Sequence, residues 1–106
     1  MARVDSRSHL ASLVGEAIFT LTGRPNRILR IEGDDVIVAT QQSPNGQPVP
    51  IEWVQDAMDR LYDRGEIEIS VPSVGYRSAF IGAVLSTLPG AVGEVRPRRV
   101  VLADRR

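Results

Sequence analysis

The chain has 106 residues, of which 42% are hydrophobic and 25% are charged, a composition typical of one globular domain with a single core. No apolar run approaches the roughly 18 residues that a membrane span needs, and the polar start lacks the apolar segment of a signal peptide. We therefore expect one cytoplasmic domain over residues 1–106 that has no contact with a membrane. Cysteine is absent, which excludes disulfides, thiol catalysis and cysteine-ligated zinc.

The formal net charge of zero conceals an uneven distribution along the chain. Residues 1–30 carry a net charge of +3, residues 31–70 carry −7 and residues 71–106 carry +4. All 13 basic residues are arginine, whose planar guanidinium suits phosphate and guanine recognition. An arginine-only composition also follows from a GC-rich genome, so the pattern leaves both explanations open.

The first half of the chain predicts a helix, a hairpin and a loop. Apolar residues recur at helical spacing over residues 8–21, and Gly23 and Pro25 end that helix. Two runs of β-branched residues, 27–32 and 36–40, flank a Gly-Asp pair and predict a β-hairpin. Residues 41–50 are polar and rich in proline and glycine, which predicts a loop that is long for so small a domain.

The second half predicts two further helices and two strands. Pro50 suits the first turn of a helix that has one apolar face and ends at Gly65. Residues 66–70 alternate as a half-buried strand does, residues 76–88 form a helix that is apolar nearly all round, and residues 99–103 form a last strand. These elements predict an α+β fold in the order α-β-β-α-β-α-β, with a small antiparallel-rich sheet and three helices. The part after Pro50 is partly winged-helix-like.

The residues that chemistry requires are scarce. His9 is the single histidine, so one chain cannot form a two-histidine metal site, and a solvated surface role is its default. No serine stands in a nucleophile-elbow pattern, and neither a Walker A nor a dinucleotide-binding motif is present. We therefore predict that the chain is not an enzyme and that it uses no cofactor and no metal.

One cluster of carboxylates could instead indicate a metal site. Asp56, Asp59 and Asp63 fall on one helix face and Glu66 follows, an arrangement that could hold Mg²⁺ or Ca²⁺. Arginines lie among them, however, and a favourable pair of Asp56 with the arginine four residues later is typical of a solvated charged face.

Three segments have the chemistry of a binding surface. The loop supplies amides and a hydroxyl that could read base edges, although a plain connecting loop would look similar. The start of the third helix offers free N–H groups, an arginine for a phosphate and a tyrosine for stacking, although a serine cap and a tyrosine at the core edge would explain it too. The arginines near both ends merge into one basic face if the last strand lies near the hairpin, and are scattered solubility charges otherwise. This third set comprises Arg24, Arg27, Arg30, Arg96, Arg98, Arg99, Arg105 and Arg106.

Three motifs resemble a known family. They are Gly23-Arg24-Pro25-Asn26, the run from Ser43 to Pro50, and Gly75-Tyr76-Arg77-Ser78-Ala79-Phe80. Together they resemble accessory domains of bacterial restriction endonucleases of the HNH class, which cut foreign or modified DNA. The resemblance spans residues 24–90, while the His-Asn-His nuclease motif is absent. It implies a DNA-reading module that acts with an HNH nuclease domain or a partner protein, and it leaves open whether modified bases are read.

The leading hypothesis is a DNA-binding specificity module of a bacterial restriction or defence system. Its predicted contact residues are Arg24, Asn26, Arg27, Gln42, Ser43, Asn45, Gln47, Tyr76, Arg77, Ser78, Arg98 and Arg99. The alternative is a protein-interaction or homodimerisation domain that uses the acidic helix bearing Trp53, because aromatic side chains anchor interfaces.

Overall fold

The structure is a computed structural model that describes residues 3–103. Helices and strands follow one another along the chain, and every strand pair is antiparallel. The α+β class predicted from the sequence is confirmed. In chain order the elements are α1 (Ser6–Ser12), β1 (Ala17–Phe19), β2 (Pro25–Glu32), β3 (Asp35–Ala39), β4 (Gln47–Pro50), α2 (Ile51–Arg64), β5 (Glu66–Glu68), α3 (Val71–Val74), α4 (Ser78–Ser86), β6 (Ala91–Val95) and β7 (Arg98–Leu102).

The first helix is much shorter than predicted. Asp5 caps α1 by accepting a hydrogen bond from the Ser8 amide, and the helix ends at Ser12. Gly15 then adopts a left-handed conformation with φ +85° and donates its N–H to the Ile28 carbonyl, which turns the chain towards β2. The prediction of a helix over residues 8–21 is therefore wrong beyond residue 12, because residues 17–19 pair with β2 as a strand.

The N-terminal sheet has the strand order β1-β2-β3-β4. The predicted hairpin is confirmed as β2 and β3, joined through Gly33 at φ +58°. The prediction of a loop over residues 41–50 is wrong for its last four residues, because they form β4 and Val49 pairs with Val36. Pro48 and Pro50 are tolerated in β4 because it is an edge strand, where a missing N–H leaves no ladder bond unmade.

The remaining elements form a second sheet of order β5-β7-β6 with three helices. The order α2-β5-α3-α4-β6-β7, with the last strand between the other two, is the topology of a winged helix. Helix α2 ends as predicted at Gly65, which has φ +79°. The predicted helix over residues 76–88 begins only at Ser78, and a separate short helix, α3, precedes it. The sequence does not predict strand β6. None of its residues is fully buried, so it lacks the regular alternation that marks a half-buried strand.

Helices α2 and α4 join the two sheets into one core. Helix α2 contacts β4 of the first sheet and β5 and β7 of the second, while α4 contacts β1, β6 and β7. Six consecutive residues of α4, 80–85, are buried, as expected for a helix that is apolar nearly all round. Within residues 3–103 no helix combines the length and apolarity that crossing a bilayer would demand.

His9 is half-buried and does not have the solvated position expected of it. Its Nε2 atom lies 2.7 Å from the Thr87 hydroxyl just beyond α4. Burial lowers the pKa of the imidazole below its ordinary value of 6.5, because the charged form loses hydration. Protonation therefore opposes folding, since the unfolded chain takes up this proton at a higher pH than the folded chain does.

We predict that the free energy of unfolding falls as the pH drops through about 6.5 and levels off below the folded pKa of His9. A His9→Gln variant, which stays neutral, should lack this part of the pH dependence. Urea unfolding of both proteins at neutral and mildly acidic pH measures the difference. An equal loss of stability in the two proteins would contradict the prediction.

Candidate nucleic-acid interface

Three segments that are distant in sequence meet around one groove of about 350 Å³, here called the junction groove. Its walls are the β1–β2 turn with the start of β2 (residues 20–26), the β3–β4 connection with the first residue of β4 (residues 40–47), and the start of α4 with the two residues before it (residues 76–80). Seven of the twelve predicted contact residues line it: Arg24, Asn26, Gln42, Ser43, Gln47, Tyr76 and Arg77. The loop and the helix start, which the sequence indicated separately, therefore form one site with the first turn.

The β1–β2 turn holds Arg24 at the rim of the groove. The Thr20 hydroxyl accepts a hydrogen bond of 3.0 Å from the Arg24 amide, and the Thr20 amide donates to the Arg24 carbonyl at 2.9 Å. These bonds fix the backbone while the guanidinium of Arg24 stays exposed and has no ion pair within residues 3–103. Asn26 follows on β2, pairs with Ile18, and is only 6% exposed.

The β3–β4 connection is an ordered wall, although its composition is that of a loop. The Thr40 and Ser43 amides each donate to the other residue's carbonyl at 3.2 Å, and the Gly46 amide donates to the Ser43 carbonyl at 3.0 Å. Gly46 has φ +92°, and a Cβ there would lie 2.6 Å from Ile37 Cγ2. Only glycine fits this position without strain, so the connection packs closely on the sheet beneath it.

The start of α4 forms the third wall. The side chain of Arg77, at the N-cap position, donates from Nη2 to Gln47 Oε1 and links α4 to β4. The backbone amides of Ala79 and Phe80 have no acceptor within the part of the chain that the structure describes. Such free amides concentrate the positive end of the helix dipole. Tyr76 stands at the rim and is 88% exposed.

The junction groove is positive. Among the described residues, two arginines and no carboxylate line it. A neighbouring cleft extends this character, because Arg98 lies there together with Thr20 and Ser78. Neither Arg77 nor Arg98 forms an ion pair among the described residues, so their charges are available to an anion.

Five of the twelve predicted contact residues lie outside the junction groove. Asn45 is exposed at the tip of the β3–β4 connection. Arg27 donates to the Gly15 carbonyl from the exposed side of β2. Ser78 and Arg98 occupy the neighbouring cleft and line no part of the junction groove itself. Arg99 is held by Glu66 and Glu94, and its hydrogen bond to Glu94 raises its pKa further.

Fewer arginines contribute to the basic face than the sequence predicted from the arginines near both ends of the chain. Arg30 pairs with Glu32 at 2.5 Å, and Arg99 is neutralised by its two glutamates. Arg96 is exposed at the turn between β6 and β7, while Arg105 and Arg106 lie outside the described residues. What remains on the groove side is Arg24, Arg77 and Arg98. Thr20 and Thr40 also line the groove. The sequence does not indicate them, because a threonine beside a turn carries no signal of its own.

The aspartates of α2 have partners among neighbouring side chains. Asp63 is paired with Arg3, and Asp59 accepts a hydrogen bond from Gln55 at 2.9 Å. Within residues 3–103 no group of three acidic or histidine side chains is arranged to hold a metal ion. The charged face of α2 therefore carries hydrogen bonds and ion pairs, including the predicted pair of Asp56 with Arg60 at 3.8 Å.

Comparison of the chain with protein-family models, with curated proteins and with solved structures finds no match. The strand order and the order of the elements define a two-sheet α+β domain whose second part has winged-helix topology.

We predict that Gly46→Ala lowers the free energy of unfolding by roughly 1–3 kcal/mol more than Gly15→Ala does. Both glycines have a positive φ, of +92° and +85°, but a Cβ at Gly15 meets nothing within 4 Å whereas one at Gly46 strikes Ile37 and Leu29. Urea unfolding of the two variants separates the steric cost from the shared backbone strain. Equal losses would show that the β3–β4 connection is not clamped on the sheet.

Proposed function

We propose that this chain is a DNA-binding module and that the junction groove, with Arg98 beside it, is its contact surface. One observation carries the proposal. A concave site combines two arginines and several amide side chains with a highly exposed tyrosine, and no carboxylate of residues 3–103 lines it.

Each group in the groove suits one part of a nucleotide. Arg24, Arg77 and the free amides at the start of α4 favour a phosphate, because guanidinium groups and helix N-termini both bind anions. Side-chain amides such as that of Gln42 donate and accept hydrogen bonds, as base edges require. The exposed ring of Tyr76 offers a surface on which a base can stack.

The family resemblance supports DNA as the nucleic acid. The motif beginning at Gly23, the motif beginning at Ser43 and the motif beginning at Gly75 coincide with the three walls of the groove. These are the segments that resemble accessory domains of HNH-class restriction endonucleases. On this proposal the chain serves as the specificity module of a restriction or defence system and supplies no nuclease chemistry itself.

The proposed mode differs from that of a helix-turn-helix protein. There the second helix of the motif enters the major groove and its side chains contact base edges. The corresponding helix here is α4, whose residues 80–85 are buried against α2 and both sheets. Contact through the N-terminal end of α4 and the adjoining turns is therefore favoured.

Arg77→Ala should weaken DNA binding by roughly tenfold and reduce its salt dependence by about one phosphate contact, with the fold unchanged. Fluorescence titration of a labelled oligonucleotide at several low salt concentrations measures both quantities. Arg64→Ala is the control, because it removes the same charge from a residue that does not line the groove, although it shares one cleft with Arg98.

Equal weakening by the two arginine variants would contradict a role for the groove. Absence of binding to single- and double-stranded DNA at low salt would overturn the proposal itself. Tighter binding to RNA of the same sequence would contradict DNA as the ligand.

A second candidate function, protein interaction or homodimerisation, has its own supporting observation. Trp53 on α2 is 40% exposed and lines a separate cleft of about 320 Å³. Glu52 and Asp56 line the same cleft together with Val74 and Gly75. An exposed tryptophan flanked by carboxylates suits the anchor of a protein interface.

If this second function holds, the protein should elute as a dimer or with a partner, and Trp53→Ala should return it to a monomer. Size-exclusion chromatography with light scattering tests this directly. A monomer at all accessible concentrations, with elution unchanged by Trp53→Ala, would count against homodimerisation through α2.

A further inference from the structure

We propose that the junction groove accepts one unpaired nucleotide, extruded from a duplex or carried by a single strand, and does not read the edges of an intact duplex. This inference rests on the proposed DNA-binding function and names the form of DNA that the site would take.

The shape of the site is the first reason. In an intact duplex the base edges lie at the bottom of the DNA grooves, so a protein reads them with an element that projects from its surface. The amide groups of Asn26, Gln42 and Gln47 instead line a hollow. A base reaches such groups only when it leaves its stack and enters the protein.

Asn26 supplies the second reason. The residue is 6% exposed, and its side-chain amide has no hydrogen-bond partner within residues 3–103. Among these residues no fully buried side-chain polar atom lacks a partner, so the polar atoms of Asn26 are still reachable from the groove that it lines. Its paired donor and acceptor, open to the groove and bound to no other side chain there, suit the polar edge of one base.

Tyr76 supplies the third reason. Its side chain is 88% exposed at the rim, the highest exposure among the large hydrophobic side chains that the structure describes as exposed. A ring that buries almost nothing contributes little to the core, whereas stacking of one base on it strengthens binding by roughly 5- to 150-fold. The base faces of an intact duplex are covered by their neighbours, so only an unpaired base can use this ring.

Size and charge agree with one nucleotide. The groove volume of about 350 Å³ lies near the small end of ligand sites, a size that suits one nucleotide. Arg24 and Arg77 stand on two different walls, where they can hold the phosphates on either side of that base. The side-chain oxygen of Gln47, Oε1, accepts a hydrogen bond from Arg77 and keeps its guanidinium in place.

The test compares three DNA probes of one sequence by fluorescence anisotropy: a perfect duplex, the same duplex with one bulged nucleotide, and the single strand. We expect the bulged duplex and the single strand to bind about tenfold more tightly than the perfect duplex. Tyr76→Ala should weaken binding of the bulged duplex and the single strand more than binding of the perfect duplex, and so remove most of that preference, while Tyr76→Phe should retain it because the ring remains.

Asn26→Ala should also reduce the preference for an unpaired base. Because Asn26 is buried, folding of this variant is checked by circular dichroism. Tyr76 is exposed, so Tyr76→Ala tests the inference without disturbing the core. Equal affinity for all three probes, or equal weakening of all three by Tyr76→Ala, would overturn the unpaired-nucleotide inference and leave the DNA-binding proposal standing. Failure of all three probes to bind at low salt would overturn both.

Discussion

Helix α4 carries apolar side chains on every face, and the rest of the fold follows from the need to cover it. Residues 81–85 are all buried, which a helix at the surface of one sheet could not achieve. The β5-β7-β6 sheet covers one side, and α2 and β1 cover others. The contact with the chain beneath is close enough that a Cβ on Gly82 would lie 2.9 Å from Ile69 Cγ2. Because α4 is fixed on all sides, its first turn is held where the β1–β2 turn and the β3–β4 connection meet.

The burial of α4 also determines which part of the winged-helix topology is open to a ligand. Covering α4 removes the surface that a helix-turn-helix protein presents to the major groove and leaves the N-terminal end of the helix as its open part. Ion pairing then selects among the arginines: Arg30 and Arg99 are neutralised by glutamates, whereas Arg77 contacts a neutral glutamine. A protein with no net charge thus has a local positive site without an excess of basic residues.

Elements that depend on neighbouring residues were predictable, and elements that depend on distant partners were not. The β2–β3 hairpin and the end of α2 at Gly65 follow from local turn chemistry. Strand β4 contains two prolines and is recognisable only through its pairing with β3. The apolar spacing of residues 8–21 fits a helix, but Gly15 and the pairing of residues 17–19 with β2 convert its second half into a strand. Pairing with a distant strand overrides a local periodicity of that length.

The sequence by itself determined the chemistry of this protein: arginine as its only basic side chain, no cysteine, a single histidine, amides concentrated between β3 and β4, and an apolar helix after Arg77. Only the tertiary structure decided which of these groups meet. The bond between Arg77 and Gln47 joins residues 30 positions apart, and local spacing carries no information about such a contact. Which arginines remain unpaired was likewise decided by the fold, because the glutamates that neutralise Arg99 belong to two other strands, β5 and β6.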